Sequence, residues 1–358
     1  MKTFLLYGSY GYTGELIADL AVKNGMRPLL AGRDEIRLKT QSQKLGLDYR
    51  AFDLSNTGAL DSALMEVDAV LHCGGPFVLT FRRMAEACLR NKKHYVDISG
   101  EIESFEGLAA LDAQAKNAGI MFLPGAGFDV VPSDCLGAHL KQRLPSADRL
   151  QLCIRQVGSG ISRGTAKSAI ESVLSKGRIR KDGKVIQVPP AWKFVDADFG
   201  RGPVKTVSIG WGDVSTAYYS TGIPNIETFM ALPRTMIDFL HVSRFIGPLL
   251  NNRLAKNIMK SVIDRYPPGP SEESRNHGLA IIVGEATDKN GGRARAKLQT
   301  PDGYLLTAQT TVEIMKRILS SDPSTGSRQR FKPGFQTPSL VYGPDFILQF
   351  PNTKLEDL

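Results

Sequence analysis

The chain has 358 residues, a length typical of two domains, and 42% of its residues are hydrophobic against 23% that are charged. This balance excludes a disordered chain, and no apolar run reaches the length needed to cross a membrane. The four cysteines contain no Cys-x-x-Cys pair, which argues against a zinc site and against a disulfide framework. Because the run TFLLY after Lys2 is too short for a signal peptide, we expect a cytoplasmic protein.

The net charge of +9 is spread unevenly and is most concentrated in residues 176–184, KGRIRKDGK. We interpret this basic segment as a solvated loop or the tip of a hairpin; the alternative is attraction of an anionic ligand or a lipid surface. The sequence contains no signature of a nucleic-acid-binding motif, so we expect no nucleic-acid partner.

The first third of the chain alternates short apolar strands with amphipathic helices. The predicted strands are TFLLY, RPLLAG, DYRAFDL, DAVLHCGGP, HYVDIS and IMFLPGAG. Continuous apolar strands separated by helices indicate a parallel sheet covered on both faces. We therefore predict a doubly wound, Rossmann-type α/β domain over residues 1–130.

The pattern changes after GFDVVPSD, where Pro132, Ser133 and Asp134 indicate the start of a helix. RLQLCIRQV is a predicted strand, and LAIIVGEATDKNGGRARAKLQT is a predicted hairpin that turns at residues 290–292. We predict an α+β domain with a mixed or antiparallel sheet over residues 131–322. Residues 323–358 are predicted to be a loop-rich tail, pinned to the surface or returning to the first domain.

The first predicted strand runs into three glycines, Gly8, Gly11 and Gly14, at three-residue intervals. In a first strand-to-helix turn such glycines allow a tight turn, close approach of the backbone to a pyrophosphate, and close packing of the helix on the strand. The helix N-terminus then binds the phosphates through backbone N–H groups. We predict a dinucleotide site here that includes Tyr10; the alternative is an ordinary glycine-rich turn.

The end of the second predicted strand, LLAGRDE, indicates which dinucleotide is bound. An NAD-binding unit places a carboxylate at this position for the ribose hydroxyls, whereas this chain has Gly32 followed by Arg33. Because a guanidinium is suited to a 2′-phosphate, we predict NADP(H) as the cofactor. A surface arginine in a turn is the alternative.

Other predicted strands end at the same edge of the sheet, where ligands bind in doubly wound folds. Asp53 follows the third strand and is predicted to approach the adenine. From the ends of the fourth and fifth strands we predict cofactor contacts by Cys73, Gly74, Gly75, Pro76, Ser99 and Gly100. The alternative is plain turn chemistry, since these residue types are common in turns.

Together these motifs resemble the saccharopine dehydrogenase-like oxidoreductases, including the branch of trans-acting enoyl reductases. The segments that carry the resemblance are GSYGYTGELIA, LAGRDEIRL, HCGGPF, HYVDISGE, GFDVVPSD, RGTAKSAIESV and GFQTPSLVYGPDF. The resemblance implies an NADP-binding Rossmann domain, with Tyr12 and Thr13 among its cofactor contacts, followed by a substrate and dimerisation domain. It also implies that the segment GTAKSA faces the cofactor, and we predict that Thr165 and Ser168 face the substrate.

Other chemistries have less support in the sequence. No tyrosine has a lysine four residues later, so the Tyr-Lys acid pair of short-chain dehydrogenases is absent. The five histidines contain no HxxxH or HExxH motif, so we predict no metal site. GISRG, residues 160–164, matches the GxSxG pattern of a serine hydrolase with Ser162 as its nucleophile. Because the preceding strand is predicted to end near Val157, we favour a glycine-rich entry to a helix.

We expect an NADP-dependent oxidoreductase that transfers a hydride to the C=C bond of an enoyl or acyl substrate or to the C=N bond of an imine; the resemblance favours the enoyl substrate. The candidate proton donors are Asp129, Asp134 and Tyr219, the last in a predicted strand, with helix capping by Asp134 and core packing of Tyr219 as alternatives. A second hypothesis is a non-catalytic, NADP-sensing or lipid-associated protein on the same fold. We interpret residues 230–250, rich in Met, Phe and Leu, as a homodimer interface; an acyl tunnel or a peripheral lipid contact is the alternative.

Overall fold

The structure is a computed structural model and describes residues 2–167, 177–233, 236–238, 261–263, 265–320 and 331–358. Its internal contacts divide the chain into two units. The first unit comprises residues 1–131 and 304–341, and the second comprises residues 132–303 and 342–358. The domain boundaries drawn from the sequence, at residues 130 and 322, stay a prediction.

The first unit is built on a seven-stranded sheet whose neighbouring strands are all parallel. Its strands are β1 (Phe4–Tyr7), β2 (Leu29–Gly32), β3 (Tyr49–Ala51), β4 (Ala69–His72), β5 (His94–Asp97), β6 (Met121–Leu123) and β15 (Gly334–Phe335), in the spatial order β15-β6-β5-β4-β1-β2-β3. Its helices are α1 (Tyr12–Lys23), α2 (Glu35–Leu45), α3 (Thr57–Met65), α4 (Phe77–Asn91), α5 (Ile102–Ala109), α6 (Asp112–Ala118), α10 (Gly303–Ser320) and α11 (Pro338–Tyr342).

The central strands form the core of the first unit because their side chains are mostly apolar on both faces. Phe4, Leu5 and Leu6 of β1 have no exposed surface, and β2 and β4 are buried along their whole length. Since β1 pairs with both β2 and β4, the strand order reverses between β1 and β4, and a crevice opens at the carboxyl ends of these two strands. The predicted doubly wound Rossmann domain is confirmed.

The second unit is built on a mixed, nine-stranded sheet. Its strands are β7 (Arg149–Val157), β8 (Gly177–Lys181), β9 (Lys184–Val188), β10 (Phe194–Asp198), β11 (Pro203–Ile209), β12 (Asn225–Met230), β13 (Leu279–Thr287), β14 (Arg293–Pro301) and β16 (Lys354–Asp357). The main order is β10-β11-β12-β7-β13-β14-β16, in which β12 and β7 are parallel and the other pairs antiparallel. Its helices are α7 (Val131–Arg143), α8 (Asp213–Thr221) and α9 (Glu272–His277), and a 3-10 helix covers Pro344–Gln349.

Several predicted elements of the second unit are confirmed. The strand RLQLCIRQV is β7, and the hairpin around residues 290–292 is the pair β13 and β14. The part of the basic segment that the structure describes, residues 177–184, lies in the β8–β9 hairpin, which turns at Asp182 and Gly183. Most of the stretch 230–250 lies outside the described residues.

The prediction of a strand around Tyr219 is wrong, because this residue lies in α8. The β-branched and aromatic residues of STAYYST favour a strand locally, but tertiary packing decides otherwise. α8 is buried on most of its surface, and it ends at Gly222 in the left-handed conformation with φ +69°.

Residues 331–358 contribute strands to both sheets. β15 pairs with β6 at the edge of the first sheet, and the backbone N–H of Phe335 donates to Asp112 Oδ1 at 2.9 Å. β16 pairs with β14 at the edge of the second sheet, where Asp357 lies 2.8 Å from Arg143 Nη1. Among the described helices, none combines the length and the apolar character needed to cross a bilayer.

Candidate functional site

The predicted cofactor residues lie at one edge of the first sheet, each after the carboxyl end of a strand. Residues 8–14 follow β1, Arg33 follows β2, Asp53 follows β3, residues 73–76 follow β4, and Ser99 and Gly100 follow β5. Because all strands run parallel, these ends meet on both sides of the reversal between β1 and β4. The fold therefore brings the predicted cofactor residues together.

Gly8 and Gly14 are positions where a side chain would collide with backbone. Gly8 turns the chain directly after β1 with φ +82°, and its N–H donates to the carbonyl oxygen of Ala31 at 2.7 Å. A β-carbon on Gly8 would lie 2.8 Å from the backbone of Cys73 and Gly74. A β-carbon on Gly14, in the first turn of α1, would lie 2.3 Å from the carbonyl oxygen of Gly8. Backbone atoms cannot move aside as a flexible side chain does, so the loop requires glycine at both positions.

The N-terminus of α1 points out of this glycine loop. Its N-cap residue is Gly11, which has no side chain with which to cap the first turn, and the N–H of Gly11 donates to the carbonyl oxygen of Gly8 at 3.0 Å. Tyr12 and Thr13 begin the helix, and the ring of Tyr12 packs edge-on against Tyr304 at a centroid distance of 5.0 Å. A helix N-terminus behind a bare glycine loop is a suitable site for a pyrophosphate.

Tyr10 organises the end of β2. Its hydroxyl oxygen accepts hydrogen bonds from the backbone N–H groups of Arg33 at 2.9 Å and Asp34 at 3.1 Å. Gly32 makes room for the ring, because a β-carbon there would lie 2.4 Å from Tyr10 Cε1. The side chain of Arg33 is 73% exposed, and its Nη1 lies 4.0 Å from Asp53 Oδ2. A guanidinium available to a phosphate therefore stands at this strand end.

A second arginine, Arg37, lies beside Tyr10 and was missed by the sequence reasoning. Its guanidinium carbon lies 4.7 Å from the centroid of the Tyr10 ring, and its Nη2 lies 3.7 Å from Glu15 Oε1. The sequence signal was the position of Arg37 in the first turn of the helix that follows β2.

A buried histidine holds the loop after β4. The Thr80 hydroxyl donates to the carbonyl oxygen of Gly74 at 2.8 Å, and it lies 2.9 Å from His72 Nε2. Burial lowers the pKa of His72 to about 3, so the ring is neutral. A Thr80 hydroxyl proton directed to a backbone carbonyl leaves the imidazole to donate from Nε2. The sequence reasoning missed this arrangement.

The loop after β5 is tied to the loop after β6 by Asp97. Its buried carboxylate accepts hydrogen bonds from the Tyr95 hydroxyl at 2.6 Å, from the Ser99 hydroxyl and N–H at 2.7 and 2.9 Å, and from the Gly125 N–H at 2.8 Å. Burial raises the pKa of Asp97, although the four hydrogen bonds to the carboxylate act to lower it. The hydroxyl of Ser99, a predicted cofactor residue, is thus directed to Asp97.

Two further carboxyl groups lie beside this loop. Glu101 accepts hydrogen bonds from the N–H groups of Phe77 at 3.1 Å and Val78 at 2.5 Å, and so caps the N-terminus of α4. Asp129, a predicted proton donor, lies against Gly100, where a β-carbon would be 2.6 Å from Asp129 Oδ2. Burial and the neighbouring Glu101 raise the pKa of Asp129 to about 6.

The other two predicted proton donors belong to the second unit. Asp134 is completely buried in α7 and accepts a short hydrogen bond from the Ser220 hydroxyl. Tyr219 packs against the ring of Tyr218 at 5.8 Å, with the guanidinium carbon of Arg180 at 5.9 Å. These contacts are those of packing and of structural hydrogen bonding.

Ser162 has the geometry of a helix cap. Its hydroxyl accepts a hydrogen bond from the N–H of Thr165 at 3.1 Å, and its carbonyl oxygen accepts one from the N–H of Ala166 at 2.8 Å. Helical residues begin at Arg163, well after the end of β7 at Val157. A nucleophile elbow instead places the serine on the sharp turn that ends a strand. Thr165 lies in this first helical turn, and Ser168 lies outside the described residues.

The second unit also holds a cavity of about 260 Å³, lined by residues of β7, β10, β13 and β14. Its polar wall includes Glu285, which pairs with Arg293 at 2.8 Å and Arg295 at 3.2 Å. None of the predicted site residues lines this cavity. In the described part of the chain, no group of three or more His, Cys, Asp or Glu residues is placed to hold a metal ion.

Comparison with known families agrees with the geometry of the first unit. Residues 4–123 match the family model described as the saccharopine dehydrogenase NADP-binding domain. The match confirms the predicted resemblance and the predicted cofactor, NADP(H). The NADP-binding domain fits this cofactor through the side-chain-free backbone at Gly8 and Gly14 and the exposed guanidinium of Arg33.

Two curated relatives extend the likeness beyond this domain. The chain is 25% identical over 211 residues to the saccharopine dehydrogenase-like oxidoreductase of Rattus norvegicus. This alignment covers 52% of this chain and 49% of that protein. It is 30% identical over 157 residues to the trans-acting enoyl reductase of Mycobacterium leprae. That alignment covers 42% of this chain and 38% of that protein. The match spans about half the length of these relatives or less.

A solved structure shares the fold of the whole chain. Apo saccharopine dehydrogenase (L-Glu forming) from Saccharomyces cerevisiae covers 100% of both chains with a TM-score of 0.63 and 12% identity. This likeness confirms the fold class, a Rossmann domain with a second domain built on a mixed sheet.

Proposed function

We propose that the protein is an NADP-dependent oxidoreductase that transfers a hydride between the nicotinamide and an unsaturated carbon of its substrate. The observation that carries this proposal is the match of residues 4–123 to an NADP-binding domain whose glycine loop and Arg33 lie at one sheet edge. The oxidoreductase named among its relatives supports the reaction class.

Each strand end has a role in this proposal. NADP(H), when bound, supplies or accepts the hydride. Arg33, beside Tyr10, binds the 2′-phosphate, and the N-terminus of α1 binds the pyrophosphate. The loops after β4 and β5 receive the nicotinamide nucleotide, because the second half of a doubly wound sheet binds the second nucleotide. His72 and Asp97 keep these two loops in place.

We favour the C=C bond of an enoyl thioester as the bond that is reduced, and the C=N bond of an imine as the alternative. The support for the enoyl substrate is the relative at 30% identity that is named a trans-acting enoyl reductase. Thr165 and Ser168 stay proposals as substrate-facing residues.

We also propose a cytoplasmic homodimer. All four cysteines are free, which suits a reducing compartment. The dimer is supported by the sequence of residues 230–250, rich in apolar side chains. Sedimentation velocity at several protein concentrations distinguishes a dimer from a monomer, and a purely monomeric protein would contradict this part of the proposal.

The reaction is tested with NADPH that carries deuterium at C4. Purified protein is mixed with crotonyl-coenzyme A as the enoyl probe, or with 1-pyrroline as the imine probe, and the product is examined by mass spectrometry. We expect deuterium on the reduced carbon of one probe. If calorimetry shows NADPH binding but no acceptor takes up deuterium, the non-catalytic NADP sensor is the better hypothesis. Absence of binding by both NADPH and NADP⁺ would overturn the proposal.

A further inference from the structure

Three acidic side chains follow the last two strands of the Rossmann core. Asp97 ends β5, Glu101 comes four residues later, and Asp129 follows β6. In a doubly wound sheet with this strand order, β4 to β6 form the half that receives the second nucleotide. Under the function proposed above, on which this inference rests, that nucleotide carries the nicotinamide.

Two of these carboxyl groups are committed to holding loops. Asp97 has no exposed surface, and its four hydrogen bonds join the loop after β5 to Gly125. Glu101 accepts from two backbone N–H groups at the start of α4. Asp97 would have to abandon its bonds before it served a ligand, which would leave buried donors unpaired, and Glu101 would have to uncap α4.

Asp129 differs from both because its carboxyl group holds no loop in the described part of the chain. Its side chain is partly exposed, and within the described ranges of the chain it accepts no hydrogen bond and forms no ion pair. Gly100 makes room for it, since a β-carbon there would lie 2.6 Å from Oδ2 and 3.0 Å from the β-carbon of Asp129. The carboxyl group is therefore free to meet a ligand at the end of β5.

The surroundings of Asp129 favour a carboxyl group that both holds and releases a proton near neutrality. Burial is the larger effect on its pKa and the charge of Glu101 the smaller, and together they raise that pKa to about 6. A proton donor works best with a pKa close to the working pH. Glu101 is the titratable group whose charge acts on Asp129, and burial raises the pKa of Glu101 as well.

We propose that Asp129 exchanges the proton of the reaction beside the nicotinamide. During reduction, one atom of the substrate double bond accepts the hydride, with its two electrons, from NADPH. The π electrons move to the neighbouring atom, which forms a bond to the proton released by the Asp129 carboxyl group. The products are the saturated substrate, NADP⁺ and the Asp129 carboxylate, which takes a proton from water.

The first test needs no substrate, because the oxidised nicotinamide ring is a cation and the reduced ring is neutral. Above pH 6 the Asp129 carboxylate should favour NADP⁺. In Asp129→Asn we expect the Kd for NADP⁺ at pH 8 to rise about tenfold and the Kd for NADPH to stay within about twofold. At pH 5, where Asp129 of the free protein is mostly protonated, variant and wild type should differ by no more than about twofold. Asp19→Asn, which removes a carboxylate of α1 paired with Lys44, is the matched control and should change neither constant.

A second measurement on the wild-type chain protects the test against a variant that folds poorly. If the Asp129 carboxylate raises the affinity for NADP⁺ tenfold, linkage requires that NADP⁺ binding lowers the pKa of Asp129 by about one unit. Carbon-13 NMR of the carboxyl carbon measures this pKa with and without NADP⁺. NADPH should leave the pKa unchanged. In turnover of crotonyl-coenzyme A, we expect Asp129→Asn to be slower by about 100-fold or more.

The outcomes separate the two proposals. If the wild-type chain binds neither NADP⁺ nor NADPH, the proposed function fails and this inference fails with it. If both bind, but the pKa of Asp129 does not respond to NADP⁺ and the variant keeps the wild-type ratio of the two constants, the role of Asp129 is overturned while the NADP site stands.

Discussion

The carbonyl oxygen of Gly8 lies only 2.3 Å from the place that a β-carbon of residue 14 would occupy. The first turn of α1 therefore packs directly on the end of β1, with the backbone of one element against the backbone of the other. Real β-carbon contacts are never this short, so any larger residue at position 14 must displace the loop that follows β1.

Gly14→Ala should lower both the stability of the protein and its affinity for NADPH. We expect a loss of about 1–3 kcal/mol in the free energy of unfolding, because overpacking against backbone forces a shift. The displaced loop should also weaken NADPH binding in calorimetry. Gly58→Ala in α3 is the matched control, since its β-carbon would meet only one atom, at 3.9 Å. Equal behaviour of the two variants would contradict the packing argument.

Arg33→Ala should reduce the preference for the phosphorylated cofactor. A charge-assisted bond to phosphate contributes about 1.5–3 kcal/mol, so the Kd for NADPH should rise about 10- to 100-fold, while that for NADH stays within about twofold. Arg50→Ala, which removes a guanidinium paired with Glu66, serves as the control for loss of a positive charge. If Arg33→Ala weakens the binding of NADPH and NADH equally, Arg33 does not bind the 2′-phosphate.

His72 should make the protein sensitive to acid. Its pKa is about 3 in the folded state, below the value of about 6.5 for an unfolded histidine. The neutral ring therefore contributes stability above pH 6.5, and this contribution is lost as the pH falls from 6.5 towards 3. The slope is about 1.4 kcal/mol for each pH unit.

Urea unfolding of the wild type and of His72→Gln between pH 7 and pH 5 measures this contribution. The glutamine keeps a donor for Thr80 but does not titrate, so the difference in stability between the two proteins should shrink as the pH falls. A difference that is independent of pH would show that His72 does not titrate in this range.

Ser162→Ala should destabilise the protein and should not abolish a hydrolytic activity. Loss of an N-cap hydroxyl costs about 1 kcal/mol, measurable as a fall in the thermal unfolding midpoint. Ser162→Asp, which retains a capping acceptor, should restore most of the stability. An esterase activity of the wild type that disappears in both variants would instead support Ser162 as a nucleophile.

Much of the first unit could be predicted from local patterns. Short apolar strands between amphipathic helices indicated the parallel sheet, and the spacing of Gly8, Gly11 and Gly14 indicated the turn after β1. At Tyr219, by contrast, the local pattern gave the wrong secondary structure. Its β-branched and aromatic neighbours favour a strand, but α8 is buried by contacts with residues far away in the chain.

Hydrophobic periodicity and glycine spacing are properties of neighbouring residues, so the sequence by itself determined the Rossmann domain, its cofactor class and the sheet edge at which the cofactor residues lie. Only the tertiary structure decided what each polar side chain does at that edge. Asp97 bonds to Gly125, Tyr10 holds the backbone at Arg33, and Asp129 lies against Gly100. These contacts join loops that are separate in the chain and meet because of strand order, which no local pattern encodes.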